Sequence, residues 1–128
     1  MTAVPLMETK YGSCHCGSIA FEVNLDSGFQ DLRRCNCSLC RRKGAIMASV
    51  PVEQLRVTRG AEKLSLYQWN TKQAKHYFCS VCGIYTHHQR RNNPREFAFN
   101  VACIEGVDQY SLPNVGIGDG ASQSLSSR

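Results

Sequence analysis

Several features that would place this 128-residue chain in a special class of protein are missing from its sequence. No apolar run approaches the ~18 residues of a membrane-spanning helix, so we expect no transmembrane segment and no membrane partner. The first ten residues contain no apolar core of signal-peptide length, which argues against secretion. Cysteines make up about 6% of the chain, below the ~8–10% typical of a disulfide scaffold. We therefore expect a cytoplasmic protein whose cysteines serve another purpose.

Length and composition favour one folded domain. A chain of 128 residues fits a single domain with its own hydrophobic core. Hydrophobic residues make up 42% of the sequence, which argues against global disorder. From residue 116 onward the sequence is small and polar. We therefore predict one domain over residues 1–115 and a flexible tail over residues 116–128.

The hydrophobic pattern predicts strands rather than helices. Residues 18–25 alternate apolar positions with smaller or polar ones, as a half-buried strand does. One helical turn is expected after Ser38, which is a suitable N-cap. Together these patterns predict a mainly β protein built from antiparallel strands, with at most short helical turns. The further predicted strands cover residues 45–50, 55–58, 64–69, 75–78, 84–88 and 96–103.

Seven of the eight cysteines fall into three tight groups, with the spacings C-x-C, C-x-C-x-x-C and C-x-x-C. In an intracellular protein, such close cysteines are more often metal ligands or redox centres than structural disulfides. The groups are Cys14 and Cys16; Cys35, Cys37 and Cys40; and Cys79 and Cys82, with Cys103 standing alone.

The first and third groups each offer two thiolates, so neither completes a tetrahedral zinc site by itself. Together they make a closed set of four thiolates, called here the four-cysteine set. Gly17 and Gly83 directly follow the two pairs, and a glycine there lets the backbone turn around a metal. The pattern indicates a structural zinc. A redox disulfide within one pair is the alternative, although the C-x-x-C lacks the strand-then-helix context of a thioredoxin-like motif.

The second group, called here the three-cysteine loop, offers only three sulfurs. Residues i and i+2 of a strand point to one side, so Cys35 and Cys37 are expected to share a metal. A turn at residues 38–39 would bring Cys40 beside them. Three protein ligands with one vacant position are typical of catalytic zinc. The alternative is a closed structural site, whose fourth ligand would be one of His76, His87, His88 and Cys103.

Three motifs occur in a specific order along the chain: Gly12-Ser13-Cys14-His15-Cys16-Gly17, Cys35-Asn36-Cys37-Ser38-Leu39-Cys40-Arg41 and Phe78-Cys79-Ser80-Val81-Cys82-Gly83. In this order they resemble the glutathione-dependent formaldehyde-activating enzyme family, which also contains centromere protein V. The resemblance covers residues 10–107. It implies a β-tent fold of two antiparallel sheets, with a structural zinc on the four-cysteine set.

The resemblance also implies a second, functional zinc on Cys35, Cys37 and Cys40, which would carry the catalysis. The reaction ascribed to the family joins glutathione to formaldehyde and gives S-hydroxymethylglutathione, formally as a carbon–sulfur lyase. Two zinc ions per chain, a small thiol such as glutathione and an aldehyde are therefore the expected cofactors and partners. A thiol bound to zinc becomes a thiolate at neutral pH, which suits attack on an aldehyde carbon.

Basic residues flank the cysteines. Of the fifteen Lys and Arg residues, ten lie in two acid-free windows, residues 32–43 and 71–95. These residues could bind the carboxylates of an anionic thiol, balance the charge of zinc–thiolate centres, or form a solvated face. We name Arg41, Arg42 and His87 as candidate substrate-binding residues. His87 and His88 are adjacent in a predicted strand and so should point to opposite faces.

Other functions remain open at this point. A nucleic-acid or chromatin-binding module is suggested by the net charge of +5, but this charge is modest and no aromatic residues interleave with the basic ones. We therefore expect no nucleic-acid partner. A non-catalytic glutathione carrier is a second alternative. A methionine sulfoxide reductase would need Cys103 as its nucleophile and would leave the three-cysteine loop unused; otherwise Cys103 is a small buried residue. The sequence does not predict an oligomeric state.

Overall fold

The computed structural model describes residues 7–68, 74–90 and 93–119. In these ranges the chain forms ten strands, one short α-helix and four single-turn 3-10 helices. None of the helices is long and apolar enough to span a membrane. The α-helix, α1, is Cys40–Lys43. The strands are β1 (Glu8–Ser13), β2 (Ala20–Leu25), β3 (Gln30–Cys35), β4 (Met47–Pro51), β5 (Leu55–Arg59), β6 (Leu64–Tyr67), β7 (Lys75–Cys79), β8 (Tyr85–Gln89), β9 (Glu96–Asn100) and β10 (Gly116–Gly118).

The strands form two sheets, which confirms the predicted mainly β fold. The smaller sheet has the order β1-β2-β5, and the larger has the order β10-β3-β4-β9-β8-β7-β6. The strand pairs are antiparallel, with one difference from the prediction: β10 runs parallel to β3. The larger sheet is therefore mixed. β10 comes from a segment that is distant in the sequence, so it joins the edge of this sheet without a hairpin connection.

The main hydrophobic core lies between the two sheets. Phe21, Val23 and Leu25 alternate along β2 and are buried, as the period-two pattern predicts. They pack in one cluster with side chains of the larger sheet, including Val50 and Phe99. Full burial of each such side chain is worth about 1.5–3 kcal/mol. This packing buries the face of the larger sheet that is turned toward the smaller sheet. The opposite face of the larger sheet is called here the outer face.

Several predicted boundaries need correction. The expected strand 96–103 ends at Asn100, because the Asn100 side chain accepts a hydrogen bond from the Ala102 N–H and starts a 3-10 turn. Ser38 does not cap α1; Leu39 occupies that position and makes no side-chain cap. Three residues of the expected tail form β10, paired with β3. Strands β1, β3 and β10 were not predicted, and Trp69, in the predicted strand 64–69, lies outside the described residues.

Candidate metal centres

The fold brings together both predicted sets of cysteines. The sulfurs of the four-cysteine set all lie within 4.8 Å of one another, and so do the three sulfurs of the three-cysteine loop. None of the eight cysteines, including Cys103, forms a disulfide. Two groups of sulfurs without disulfides are the arrangement that metal binding requires.

The four-cysteine set is built from two similar loops. The first loop closes when the Cys14 N–H donates to the Ile19 carbonyl at 3.1 Å, and the second when the Cys79 N–H donates to the Ile84 carbonyl at 2.9 Å. Both bonds span five residues. Each loop turns at a glycine in the left-handed region, as predicted: Gly17 at φ +82° and Gly83 at φ +80°.

The sulfur geometry fits a tetrahedral zinc. With Zn–S bonds of ~2.3 Å, the edge of a tetrahedron is about 3.8 Å. The Cys14 and Cys16 sulfurs are 3.6 Å apart, and the Cys16 and Cys79 sulfurs are 3.8 Å apart. The Ile19 and Val81 N–H groups donate to the sulfurs of Cys14 and Cys79, each at 3.3 Å. Such bonds favour the thiolate, which is the form that binds metal.

The four-cysteine set lies where it would connect the two sheets. Cys14 follows β1 and is 3% exposed, whereas Cys79 ends β7 and is 0% exposed. Burial raises the pKa of Cys14, and hydrogen bonding, first from the Cys16 backbone, lowers the pKa of Cys82 to about 6. A bound cation would stabilise all four thiolates together, so these residues suit a closed structural site.

The three-cysteine loop is formed by the end of β3 and the start of α1. β3 ends at Cys35, so the expectation that Cys35 and Cys37 share one strand is wrong. The chain bends after Cys35, and the Cys37 carbonyl accepts the Arg41 N–H at 2.9 Å. The Cys40 N–H also donates to the Cys37 sulfur at 3.3 Å. The turn and helix, instead of strand alternation, therefore bring the three sulfurs together.

This loop offers three sulfur ligands for a metal, and no other described residue supplies a fourth ligand. His76, His87, His88 and Cys103 do not join its group of sulfurs. A hydrogen bond with Cys35 raises the pKa of Cys40, and burial and the charges of Cys35 and Cys37 raise it further. Three close thiolates therefore need a cation, and the residues fit a metal with one open position.

A cavity of about 290 Å³ lies beside the three-cysteine loop. Lys43, one turn after Cys40 on α1, lines this cavity. The Lys43 Nζ lies 3.4 Å from the centre of the Tyr85 ring. Burial lowers the pKa of Lys43 to about 8, although the charges of Cys40 and Cys37 oppose this effect. The remaining lining residues are Leu39, Tyr67, Phe78, Gly83 and Tyr85.

A polar cluster on the outer face was missed by the sequence analysis. Tyr77 pairs with His87 and Phe78 with Tyr85, so the register skips Thr86. This bulge puts Tyr85 and His88 on the same face, where the Tyr85 hydroxyl and His88 Nδ1 form a hydrogen bond. The His76 and His88 ring centres are 4.9 Å apart. Period-two alternation cannot reveal such a pair, because the bulge breaks the alternation.

His87 lies in the core between the sheets, not at the three-cysteine loop. It is 3% exposed, stacks on Tyr77 and meets the edge of Phe97. Its Nδ1 is 2.9 Å from Thr86 Oγ1, and burial lowers its pKa to about 4. His87 is therefore an uncharged core residue, which does not suit substrate binding. The prediction that His87 and His88 point to opposite faces is confirmed.

Arg41 and Arg42 are exposed on α1 and do not line the cavity. The guanidinium of Arg42 instead donates to the Ser38 carbonyl at 2.6 Å and so secures the loop. Lys43 is the basic residue of this helix that faces the cavity. Contact of the two arginines with substrate stays a prediction.

Two arginines from the basic windows are paired with acids across the outer face. Arg33 lies 3.2 Å from Asp31, and Arg90 lies 2.7 Å from Glu96. Both guanidinium groups also donate to Ser49 Oγ, at 3.1 Å and 3.3 Å. The two acid-free windows concealed these pairs, because Asp31 lies just before the first window and Glu96 just after the second. This reduces the free positive charge near the sulfurs.

Cys103 is half-buried and packs against the main core. Its Sγ lies 3.7 Å from the Tyr85 carbonyl, and burial raises its pKa to about 12. A thiol in this state is protonated at neutral pH, so these properties favour the small buried residue over the reactive nucleophile.

Comparison with known families bears on these centres. The model of the glutathione-dependent formaldehyde-activating enzyme family matches residues 9–117. The chain belongs to this family. Both cysteine sets lie within the matched residues.

Individual relatives agree with this assignment. Two proteins that bear the family's name match 56% of this chain: one from Halomonas elongata with 38% identity and one from Fusarium vanettenii with 34%. The matches span only 50% and 40% of those proteins. A crystal structure of a Rhodobacter sphaeroides protein is 57% identical, with a TM-score of 0.80, covering 84% of this chain and 98% of that one.

Proposed function

We propose that this protein is a zinc enzyme that joins a thiol to an aldehyde, with glutathione and formaldehyde as the substrates suggested by the family. The product would be S-hydroxymethylglutathione, and the formal class would be a carbon–sulfur lyase. In the reaction a sulfur–carbon bond forms, the carbonyl π bond breaks, and the thiol proton ends on the oxygen.

The three-cysteine loop would hold the functional zinc through Cys35, Cys37 and Cys40. Bound there, zinc would lower the pKa of a thiol at its open position, so that the thiol is a thiolate at neutral pH. The four-cysteine set would hold a second zinc with a structural role. Its ligands leave no position for a substrate.

The protein's own residues would orient the aldehyde. The Lys43 ammonium lies one helical turn from Cys40 and borders the cavity, so it can donate a hydrogen bond to the aldehyde oxygen. This bond strengthens as negative charge develops on the oxygen. Tyr85 holds Lys43 in place through the contact of the ammonium with its ring.

The observation that carries the proposal is the contrast between the two sulfur sets. One has four sulfurs, which complete a tetrahedral site, whereas the other has three, which leave one position open. A purely structural module would have no use for the second arrangement. Nucleic-acid binding has less support, because Arg33 and Arg90 are already paired with acids.

The test follows the reaction directly. Zinc-loaded protein is mixed with glutathione and ¹³C-formaldehyde, and adduct formation is followed by NMR. We expect a rate above the uncatalysed one, lost in Cys37→Ser and kept in Cys103→Ser, which changes a cysteine outside both sets. No acceleration, but binding of glutathione that Cys37→Ser abolishes, would identify a carrier instead of an enzyme.

A further inference from the structure

The cavity beside the three-cysteine loop is walled mainly by apolar and aromatic side chains. Leu39 comes from the loop, Tyr67 and Phe78 from β6 and β7, and Tyr85 from β8. Tyr67 is 43% exposed, which places it at the rim. Among the residues that the structure describes, Lys43 is the one charged residue in the lining. Such a site, with mainly apolar walls and one polar group, is typical of a pocket for an apolar ligand with a single polar atom.

The cavity is lined by residues on both sides of Cys40 in the chain. Leu39 precedes Cys40 in the chain, and Lys43 follows it by one helical turn. The Tyr85 ring contacts the Lys43 ammonium, whose Nζ lies 3.4 Å from the ring centre. The part of a bound molecule that contacts Leu39 and Lys43 would therefore lie nearest to Cys40.

The cavity is larger than formaldehyde needs. An apolar cavity of ~150 Å³ is enough to bind benzene. At about 290 Å³, this one has room for an aromatic ring with a carbonyl group attached. Formaldehyde has one carbon and one oxygen, so it would leave the aromatic walls without a partner. The anionic, peptide-like body of glutathione also matches these walls poorly.

We infer that this cavity binds the ring of an aryl aldehyde, so that the thiol acceptor includes aldehydes much larger than formaldehyde. The inference rests on the proposed function, because it names the aldehyde class of the same site. The ring packs between Leu39 and Tyr67, and the aldehyde oxygen accepts a hydrogen bond from Lys43. The thiolate attacks the carbonyl carbon, a sulfur–carbon bond replaces the carbonyl π bond, and the thiol proton ends on the oxygen as a hydroxyl.

The first test measures binding without any reaction. The probe is 4-fluorobenzyl alcohol, followed by ¹⁹F NMR on zinc-loaded protein. We expect binding that weakens about tenfold or more in Leu39→Trp, because the larger side chain fills the cavity, and also in Tyr67→Ala, which removes one wall. Tyr110→Ala is the matched control, since this tyrosine is 88% exposed and lies outside the cavity. Zinc content and a thermal melt check the fold of each variant.

The second test compares aldehydes. With glutathione as the thiol, the preference of kcat/KM for benzaldehyde over formaldehyde should fall about tenfold in Leu39→Trp relative to Tyr110→Ala. Acceleration with formaldehyde but no probe binding would overturn the cavity inference and leave the proposed function intact. Displacement of the probe by S-methylglutathione would also overturn it, since the thiol would then occupy the cavity. Probe binding with no acceleration for either aldehyde would refute the proposed function and, with it, the aldehyde assignment.

Discussion

Serine substitutions at Cys79 and Cys37 should have very different effects on folding. Cys79 is 0% exposed, its sulfur is 3.8 Å from that of Cys16, and it belongs to the set that connects the two sheets. Structural zinc contributes ~10–16 kcal/mol of apparent binding free energy, whereas a whole domain is stable by about 5–15 kcal/mol. Losing this site would therefore remove a free energy comparable to the total stability of the domain. Cys79→Ser should be largely unfolded at room temperature.

Cys37 lies in a half-buried turn and belongs to none of the hydrophobic clusters of the described residues. Cys37→Ser should therefore bind one zinc instead of two, stay folded, and lose about 10 °C or less in Tm. The assay combines zinc analysis by mass spectrometry with thermal melts followed by circular dichroism. Cys103→Ser serves as the control and should keep two zinc ions. The reasoning fails if the Cys37 and Cys79 variants unfold alike, or if the Cys79 variant melts near the wild type.

Three further predictions concern single side chains. Because burial lowers the pKa of His87 to about 4, below the ~6.5 of the unfolded chain, this histidine costs stability as the pH falls, by about 1 kcal/mol between pH 7 and 5.5. In urea titrations at both pH values, His87→Phe should reduce this loss; an unchanged loss would contradict the burial argument. Asn100→Ala should cost about 2–3 kcal/mol, because the side chain donates to the Tyr85 carbonyl and accepts from Ala102 N–H; a cost under 0.5 kcal/mol by the same titration would refute this. Lys43→Met should lower kcat/KM at least tenfold with little change in Tm, and Lys43→Arg should recover part of the loss; equal activity in all three proteins would exclude a role for the charge.

The metal-binding pattern was predictable from the sequence because it is local. Sulfurs two or three residues apart can meet in one loop, and the glycines after each pair supply the turn. The grouping of the first and third cysteine pairs into one set also follows from counting ligands. The three-cysteine loop was predicted with the right residues but the wrong local structure, since Cys37 lies in a turn beyond β3.

The surroundings of the three-cysteine loop depend on tertiary packing and could not be predicted. One bulge at Thr86 decides that Tyr85 shares a face with His88, and no sequence period marks it. Lys43 contacts the Tyr85 ring although the two residues are forty-two positions apart in the chain. The cavity that both of them line is formed by four separate segments. Strand β10 pairs residue 116 with residue 33 in a parallel ladder, and the sequence contains no turn motif that would predict this long-range pairing.

The central claim is that the three-cysteine loop offers an open position that accepts a thiol, while the four-cysteine set does not. The most direct test is ¹¹³Cd NMR of protein loaded with cadmium in place of the two expected zinc ions. We predict two resonances, of which only one moves when glutathione is added, and this resonance should be absent in Cys37→Ser. If glutathione moves neither resonance, or moves the one that survives in Cys37→Ser, the claim is contradicted.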